Sequence, residues 1–352
     1  MIWSGRKTGS VRLRTRIATL AVAAMAAGGL TACGATANDQ ISHPTGDRSS
    51  AAAAKTAAPA SNPSNPSNPS TPSAKGSSPL HSLASPRIQV AGAPGGVKAK
   101  GAVLADASTG QVLWERAADT ERPMASITKV MTALLVLQTG HLDWQVKVPK
   151  AAQTYAWHYG GESAGLRPGD ILTVQQLLEA MLLPSGADAA YTLARVFGPG
   201  IPAFISKMNA TATRLGMTRT HFTSPDGLPY PTETSTYSTP SDLVTLGLAA
   251  MKYPLFRSIV DRKFFQLKLG TGHHQHQYWW DNTDHLIGSY QGALGIKDGY
   301  TDDAGHCLLF EATRNGRTLI GAVLGSPASG PAAGAQDAAR VLNWGFRLPG
   351  AG

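Results

Sequence analysis

Pro123-Met-Ala-Ser-Ile-Thr-Lys-Val130 sets a serine three residues ahead of a lysine, at the mouth of the apolar run Val130-Met-Thr-Ala-Leu-Leu-Val-Leu137. The run reads as a buried helix, and Pro123 suits its start because proline has no N–H to lose there. Positions i and i+3 share a helix face, so Ser126 and Lys129 are expected to meet at the amino end of that helix. A hydroxyl needs a base to become a nucleophile, and a lysine can serve only with a depressed pKa. Burial, the positive end of a helix and a second cation each push it down. By itself the S-x-x-K spacing equally describes a capping serine beside a solvated lysine, so the rest of the chain must decide.

Working outward, Gly101–Ala107 and Gln111–Glu115 alternate as strands around the turn Ser108-Thr-Gly110. Downstream, Ala164–Thr173 is a loop and Val174–Leu183 has helical apolar spacing. Pro184-Ser-Gly-Ala-Asp-Ala-Ala190 then breaks that helix and starts another through Ala194. A helix is predicted over Ile205–Leu215, a polar loop over Met217–Leu228, and a further helix to Met251, capped by Tyr237–Asp242. The end of the chain is strand-like at Phe264–Leu269, Gly295–Lys297, His306–Glu311 and Thr318–Leu324, with a last helix over Ala335–Phe346. Strands at both ends with helices between them predict an α+β fold, an antiparallel sheet covered by helices.

The chain has 352 residues and a formal charge of +9. Arg6, Lys7, Arg12, Arg14 and Arg16 supply five of those charges, leaving +4, so no nucleic-acid partner is inferred. These residues belong to a segment laid out as a secretory signal, a basic stretch followed by the uncharged run Ile17–Leu30. That run is too short for a comfortable membrane span. It ends in Leu30-Thr-Ala-Cys-Gly34, which resembles a bacterial lipobox and implies cleavage before Cys33 and lipidation of its thiol. The expected organisation is a signal over 1–33, a tether over 34–96 and one folded domain over 97–348. Rich in Ala, Ser, Pro and Asn, the tether includes the repeat Ser61-Asn-Pro-Ser-Asn-Pro-Ser-Asn-Pro69 and lacks the apolar surface to offset its ordering entropy. As a coil it would reach about 45 Å. The only other cysteine, Cys307, falls on a predicted buried strand and is read as inert packing.

Three stations now line up: Ser126-x-x-Lys129, Ser185-Gly-Ala187 and Lys297-Asp-Gly299, separated by 59 and 112 residues. Around them stand Leu166-Arg-Pro-Gly-Asp170, Thr220-His-Phe222 with Gly227-Leu228, Ser238-Thr-Pro-Ser-Asp242, and Gly295-Ile-Lys-Asp-Gly-Tyr-Thr301 with Ala304-Gly305. Together these resemble the low-molecular-mass D-alanyl-D-alanine carboxypeptidases, the S11 peptidases similar to penicillin-binding protein 5, over about Lys100–Phe346. The resemblance implies a β-lactamase/transpeptidase-like α/β sandwich with an all-helical subregion. It further implies an acyl-enzyme on Ser126 formed from a peptidoglycan stem peptide, with Lys129 as base and Ser185 relaying a proton to the leaving amine. Lys297, Asp298, Gly299 and Tyr300 would line the substrate site, with the N–H groups of Ser126 and Tyr300 facing the oxyanion. No cofactor is implied, and β-lactams would trap the acyl-enzyme. The lipid on Cys33 would hold the exported protein at the outer face of the cytoplasmic membrane.

Two departures stand out. Ala187 occupies the place of an asparagine, and Asp298 that of a threonine, which puts a carboxylate near the substrate's own. They leave open a catalytically weak wall-binding or regulatory module, and a D,D-endopeptidase on the same fold. A β-lactamase is disfavoured, since Asp226 is the only acid in Thr220–Leu228. Only 53 residues follow Gly299, too few for the additional β-domain of many relatives, and no basic amphipathic tail is expected. His273-His-Gln-His276 reads as a solvated turn without a nearby acid rather than a metal site. Trp279 and Trp280 read as sheet or core packing, with a glycan-stacking platform as the other reading.

Overall fold

The computed structural model describes residues 92–349 apart from Glu233 and Ala328. The expected signal, Cys33 and the tether up to residue 91 lie outside the described residues.

The amino-terminal strands β1 (Gly101–Asp106) and β2 (Val112–Arg116) lead into a two-residue strand β3 (Arg122–Pro123), then a 3-10 turn over Ala125–Thr128 and helix α1 (Lys129–Gln138). A short pair, β4 (Gln145–Lys147) and β5 (Ile171–Thr173), brackets helix α2 (Lys150–His158). Four helices follow: α3 (Val174–Leu182), α4 (Ala187–Phe197), α5 (Ile201–Arg214) and, after the short strand β6 (Tyr237–Ser238), α6 (Pro240–Ala250). Helix α7 (Pro254–Val260) precedes the hairpin of β7 (Phe264–Leu269) and β8 (His276–Asp281). The chain then lays down β9 (Ala293–Thr301), β10 (Gly305–Arg314) and β11 (Arg317–Ser326), and closes with α8 (Ala333–Gly345).

The five long terminal strands make one antiparallel sheet in the order β2-β1-β11-β10-β9. The first and last parts of the sequence thus meet at its centre, while β9 forms an edge. Alternate residues face opposite ways along a strand, and both faces are covered. Val103, Ala105, Leu309, Ile320 and Ala322 join a large core with α1, α3, α4 and α6. Ala102, Leu104, Leu308, Phe310 and Val323 pack against Val341 and Leu342 of α8 on the other face. The predicted α+β sandwich is what the structure shows.

Local chemistry explains the helix starts. Thr173 and Gln176 form a reciprocal capping box on α3, with Gln176 N donating to Thr173 Oγ1 at 3.1 Å and Thr173 N to Gln176 Oε1 at 2.9 Å. Thr239 Oγ1 caps α6 by accepting from Asp242 N at 3.1 Å. Pro123 does not open a helix as the sequence suggested. It sits in β3, opposite Tyr237, and the chain enters α1 through the tighter 3-10 turn. Helices α2 and α7 were not anticipated. In α2 only Ala152 and Ala156 are fully buried, which leaves a faint apolar period to read.

Candidate active site

The 3-10 turn and α1 place Ser126 one turn ahead of Lys129, and Lys129 Nζ lies 2.8 Å from Ser126 Oγ. A second bond, from Nζ to the backbone carbonyl of Asp226 at 3.0 Å, fixes the amine from the opposite side. Two glycines allow this assembly. Gly227 has φ +86°, and a Cβ on it would lie 1.9 Å from Ala125 O. A Cβ on Gly299 of β9 would lie 2.8 Å from Ser126 N, so the edge strand packs directly on the turn that carries the serine. Ala125 (φ +48°) and Ser185 (φ +62°) both hold left-handed backbone, which costs an L-residue about 1–2 kcal/mol. The strain sits at two of the three stations.

Lys129 is 1 % exposed, and its pKa is lowered to about 8. Burial is the main cause; the positive charge of Lys297 adds to it, while Asp226, Glu162 and Asp298 oppose it. Lys297 is buried on β9 and donates to Asp298 Oδ1 at 2.5 Å and to Thr283 Oγ1 at 3.4 Å. Thr283 Oγ1 also donates to Asp298 Oδ1 at 2.7 Å. Burial pushes the Asp298 carboxyl up, but the Lys297 charge and these hydrogen bonds prevail and hold it below the usual range. Asp298 is therefore an ionised partner of Lys297 rather than a bare charge beside the cleft. This changes the expectation that it simply faces the incoming carboxylate.

The turn bearing Ser185 is tied into the same network. Thr283 N donates to Leu183 O at 3.0 Å, so one threonine holds both that turn and the Lys297–Asp298 pair. Ala187, where the resemblance expects asparagine, is wholly buried at the start of α4, and its N–H donates to Glu162 O at 2.8 Å. Next to it, buried Asp188 accepts from Ser163 Oγ at 2.6 Å and from the N–H groups of Ala164 and Leu166 at 3.0 Å each, pinning the 162–166 segment over the turn. Tyr300 is 47 % exposed, with its hydroxyl on Asp302 Oδ1 at 3.0 Å, so its side chain points away while its backbone continues β9 past Gly299.

A sequence-family model described as D-alanyl-D-alanine carboxypeptidase, peptidase S11, matches residues 88–328. The chain is 42 % identical over 262 residues to a D-alanyl-D-alanine carboxypeptidase of Streptomyces sp. K15, covering 72 % of this chain and 88 % of the relative. It is 38 % identical over 247 residues to the carboxypeptidase DacB2 of Mycobacterium tuberculosis, covering 70 % and 81 % respectively. The crystal structure of the Streptomyces K15 DD-transpeptidase superposes with a TM-score of 0.68 at 41 % identity, over 72 % of this chain and 98 % of that one. The chain belongs to the S11 D-alanyl-D-alanine carboxypeptidases. It is a serine hydrolase of the penicillin-binding class.

The carboxypeptidase contains site residues that the sequence reading passed over. Asp226, considered only as a possible deacylating acid, is fully buried against Lys129; its Oδ1 accepts from Tyr155 Oη at 3.1 Å and from Leu228 N at 3.1 Å. Burial pushes its carboxyl up, against the pull of Lys129. Glu162 lies within electrostatic range of Lys129, Lys297 and Asp298, and its carboxyl too is raised, first by burial. Thr283 carried no motif. Gly227-Leu228 was visible as a landmark, but nothing in it announced that the preceding Asp226 meets a lysine 97 residues upstream.

Two further expectations need correction. His276 is not in a solvated turn without an acid: it opens β8, with Nε2 2.7 Å from Asp170 Oδ2, an oxygen that also accepts from Tyr278 Oη at 2.5 Å. Trp279 and Trp280 do not share one environment. Trp280 is 2 % exposed and donates to Ala164 O at 2.8 Å, whereas Trp279 is 52 % exposed. Cys307 is buried on β10, and burial pushes its thiol up to about 12. Among the described residues, no group of three or more His, Cys, Asp or Glu side chains is placed to hold a metal ion.

Proposed function

We propose that Ser126 is the nucleophile of this carboxypeptidase and Lys129 its general base, acting on the D-Ala-D-Ala end of peptidoglycan stem peptides. The observation that carries the reading is the 2.8 Å contact between Ser126 Oγ and a buried lysine whose pKa is lowered to about 8. In its neutral form Lys129 accepts the Ser126 proton as Oγ attacks the penultimate D-alanine carbonyl. The oxyanion gathers on the N–H groups of Ser126 and Tyr300, an arrangement typically worth about 3 kcal/mol per donor in the transition state. Close packing of Gly299 on Ser126 N brings those two stretches of backbone together. The C–N bond then breaks, and Ser185 gives its hydroxyl proton to the departing D-alanine amine while taking the proton held by Lys129, which leaves the lysine neutral again. Water, activated by the same lysine, hydrolyses the acyl-enzyme. A β-lactam carbonyl would follow the first half of this course and stop at the acyl-enzyme.

Fluorescent penicillin added to the purified full-length protein is expected to give an adduct that mass spectrometry maps to Ser126 and that is lost in Ser126→Ala. A wild-type protein that stays unlabelled at millimolar drug would instead support the catalytically inactive wall-binding reading. A second reading within the family is a D,D-endopeptidase, the same acyl transfer with a different leaving amine, since relatives named D-alanyl-D-alanine endopeptidases are among the matches.

For location, the sequence supports an exported lipoprotein, with its signal removed before Cys33 and its domain tethered at the outer face of the cytoplasmic membrane. Two or more acyl chains on one cysteine anchor stably, since each buried methylene contributes about 0.8 kcal/mol. Cys33→Ala is expected to lose radiolabelled palmitate and to leave the membrane fraction; retained label would refute the lipid anchor.

A further inference from the structure

The β7–β8 hairpin has one face that the catalytic site does not use. Its inward residues are firmly mounted: Trp280 stacks beside Phe265 at 5.9 Å between ring centres, and Tyr278 Oη accepts from Arg167 N at 2.9 Å. The outward face alternates with them. The cross-strand register pairs Phe264 with Asp281, Gln266 with Trp279 and Lys268 with Gln277, and all six are exposed. Phe264 and Trp279 are 48 % and 52 % exposed, and their rings stack at 4.5 Å with only 8° between planes. Trp279 Nε1 donates to Asp281 Oδ1 at 2.9 Å, which holds the indole in that plane. A stacked aromatic pair half open to water, with one ring face and the ring edges free on each side, marks an interaction surface.

We propose that this face binds the saccharide backbone of peptidoglycan while the attached stem peptide occupies the catalytic cleft. This rests on the carboxypeptidase reading and adds a second contact with the same substrate. Pyranose rings present flat C–H faces that lie on aromatic rings, and their hydroxyl and acetamido groups need donors and acceptors around the rim. Gln266 and Gln277 supply amides with both, and Lys268 and Asp281 add one charge of each sign, leaving the face neutral for an uncharged sugar chain. Beside the aromatic pair and Lys268, the two amides and the carboxylate of Asp281 suit hydroxyl and acetamido partners better than an anionic lipid surface, which favours a mainly basic polar face.

The reach is suitable. Trp279 is four residues from Thr283, at most about 14 Å along an extended chain, and Thr283 touches both Asp298 and Lys297. A five-residue stem peptide, extended, spans about 17 Å. The separation between the aromatic pair and the cleft residue Thr283 is thus within the span of one glycan-linked stem peptide.

The test compares wild type with Trp279→Ala and Phe264→Ala, both surface changes, on two substrates: a free diacetyl-Lys-D-Ala-D-Ala peptide and a disaccharide-linked pentapeptide. Wild type is expected to prefer the sugar-bearing substrate in kcat/KM, and each variant to lose roughly tenfold of that ratio. An unchanged ratio, or a wild type without the preference, would overturn the proposal. Binding of chitopentaose, read by tryptophan fluorescence of wild type and Phe264→Ala, needs no turnover. If no substrate is cleaved but the sugar still binds in a Phe264-dependent way, the carboxypeptidase reading fails and the saccharide surface stands. Loss of vesicle binding in Trp279→Ala without any effect on sugar would assign the face to the membrane instead, and overturn the proposal.

Discussion

Lys297 and Asp298 follow one another on β9, yet their side chains are bonded, Nζ to Oδ1 at 2.5 Å. Successive side chains on a strand leave opposite faces, so this contact requires the long lysine stem to turn back along the edge. Thr283 supports it from outside the sheet. The unusual aspartate thus engages the cation that the resemblance assigns to the substrate's carboxylate.

Asp298→Thr is accordingly expected to raise kcat/KM on a peptide ending in free D-alanine about tenfold, equivalent to 1.4 kcal/mol, mainly through a lower KM. Threonine leaves Lys297 without an anionic neighbour and keeps a hydroxyl that can donate to the incoming carboxylate. D-alanine release by both forms at pH 7, with melting curves to verify folding, is the measurement. A threonine variant no faster than wild type would show that Asp298 does not compete for Lys297.

Lys129 must be neutral to accept a proton, and its pKa is lowered to about 8. The sign follows: kcat/KM rises as pH increases through about 8 and levels above it. The charged groups acting on Lys129 are Asp226, Glu162 and Asp298, which favour its protonated form, and Lys297, which disfavours it. Asp226→Asn removes the strongest of the opposing charges while retaining an oxygen for Tyr155 and Leu228. The rising limb is expected to move to lower pH, with activity at pH 6.5 gaining relative to pH 9. A limb that stays in place, or moves upward, would show that Asp226 does not set the charge state of the base.

Much of this site was legible because its parts are short and strongly constrained. Ser126 and Lys129 are bound together by helix spacing, and Gly299 by the need for strand and serine to touch. The sheet was legible too, since β1, β10 and β11 are short, nearly continuous apolar runs, the pattern of strands buried on both faces. What escaped depends on residues far apart in the chain. Asp226 reaches Lys129, and Thr283 reaches Lys297, through contacts that no local period reports. Asp298 was read by type as a repelling charge, because its bonded partner is decided by side-chain direction rather than by sequence. The two tryptophans were adjacent in sequence and seemed alike, yet strand alternation sends one inward and the other to solvent.

Gly227 provides the sharpest test of how the site is held. Its φ is +86°, and a Cβ there would lie 1.9 Å from Ala125 O and 2.7 Å from Thr128 Oγ1, inside the turn that carries Ser126. Gly216 makes a matched control, with φ +77° but no atom within 4 Å of its Cβ position. Both alanine variants bear the left-handed penalty of about 1–2 kcal/mol. Only Gly227→Ala must also displace backbone, and overpacking of that kind adds about 1–3 kcal/mol. At about 2–4 °C per kcal/mol for a domain of this size, Gly216→Ala is expected to lower Tm by roughly 2–8 °C and Gly227→Ala by several degrees more. Displacing Ala125 also moves Ser126 away from Lys129, so penicillin acylation in Gly227→Ala should slow at least tenfold while Gly216→Ala keeps its rate. Equal melting losses with equal acylation rates would mean that the loop yields without moving the serine, and that Gly227 serves the fold rather than the nucleophile.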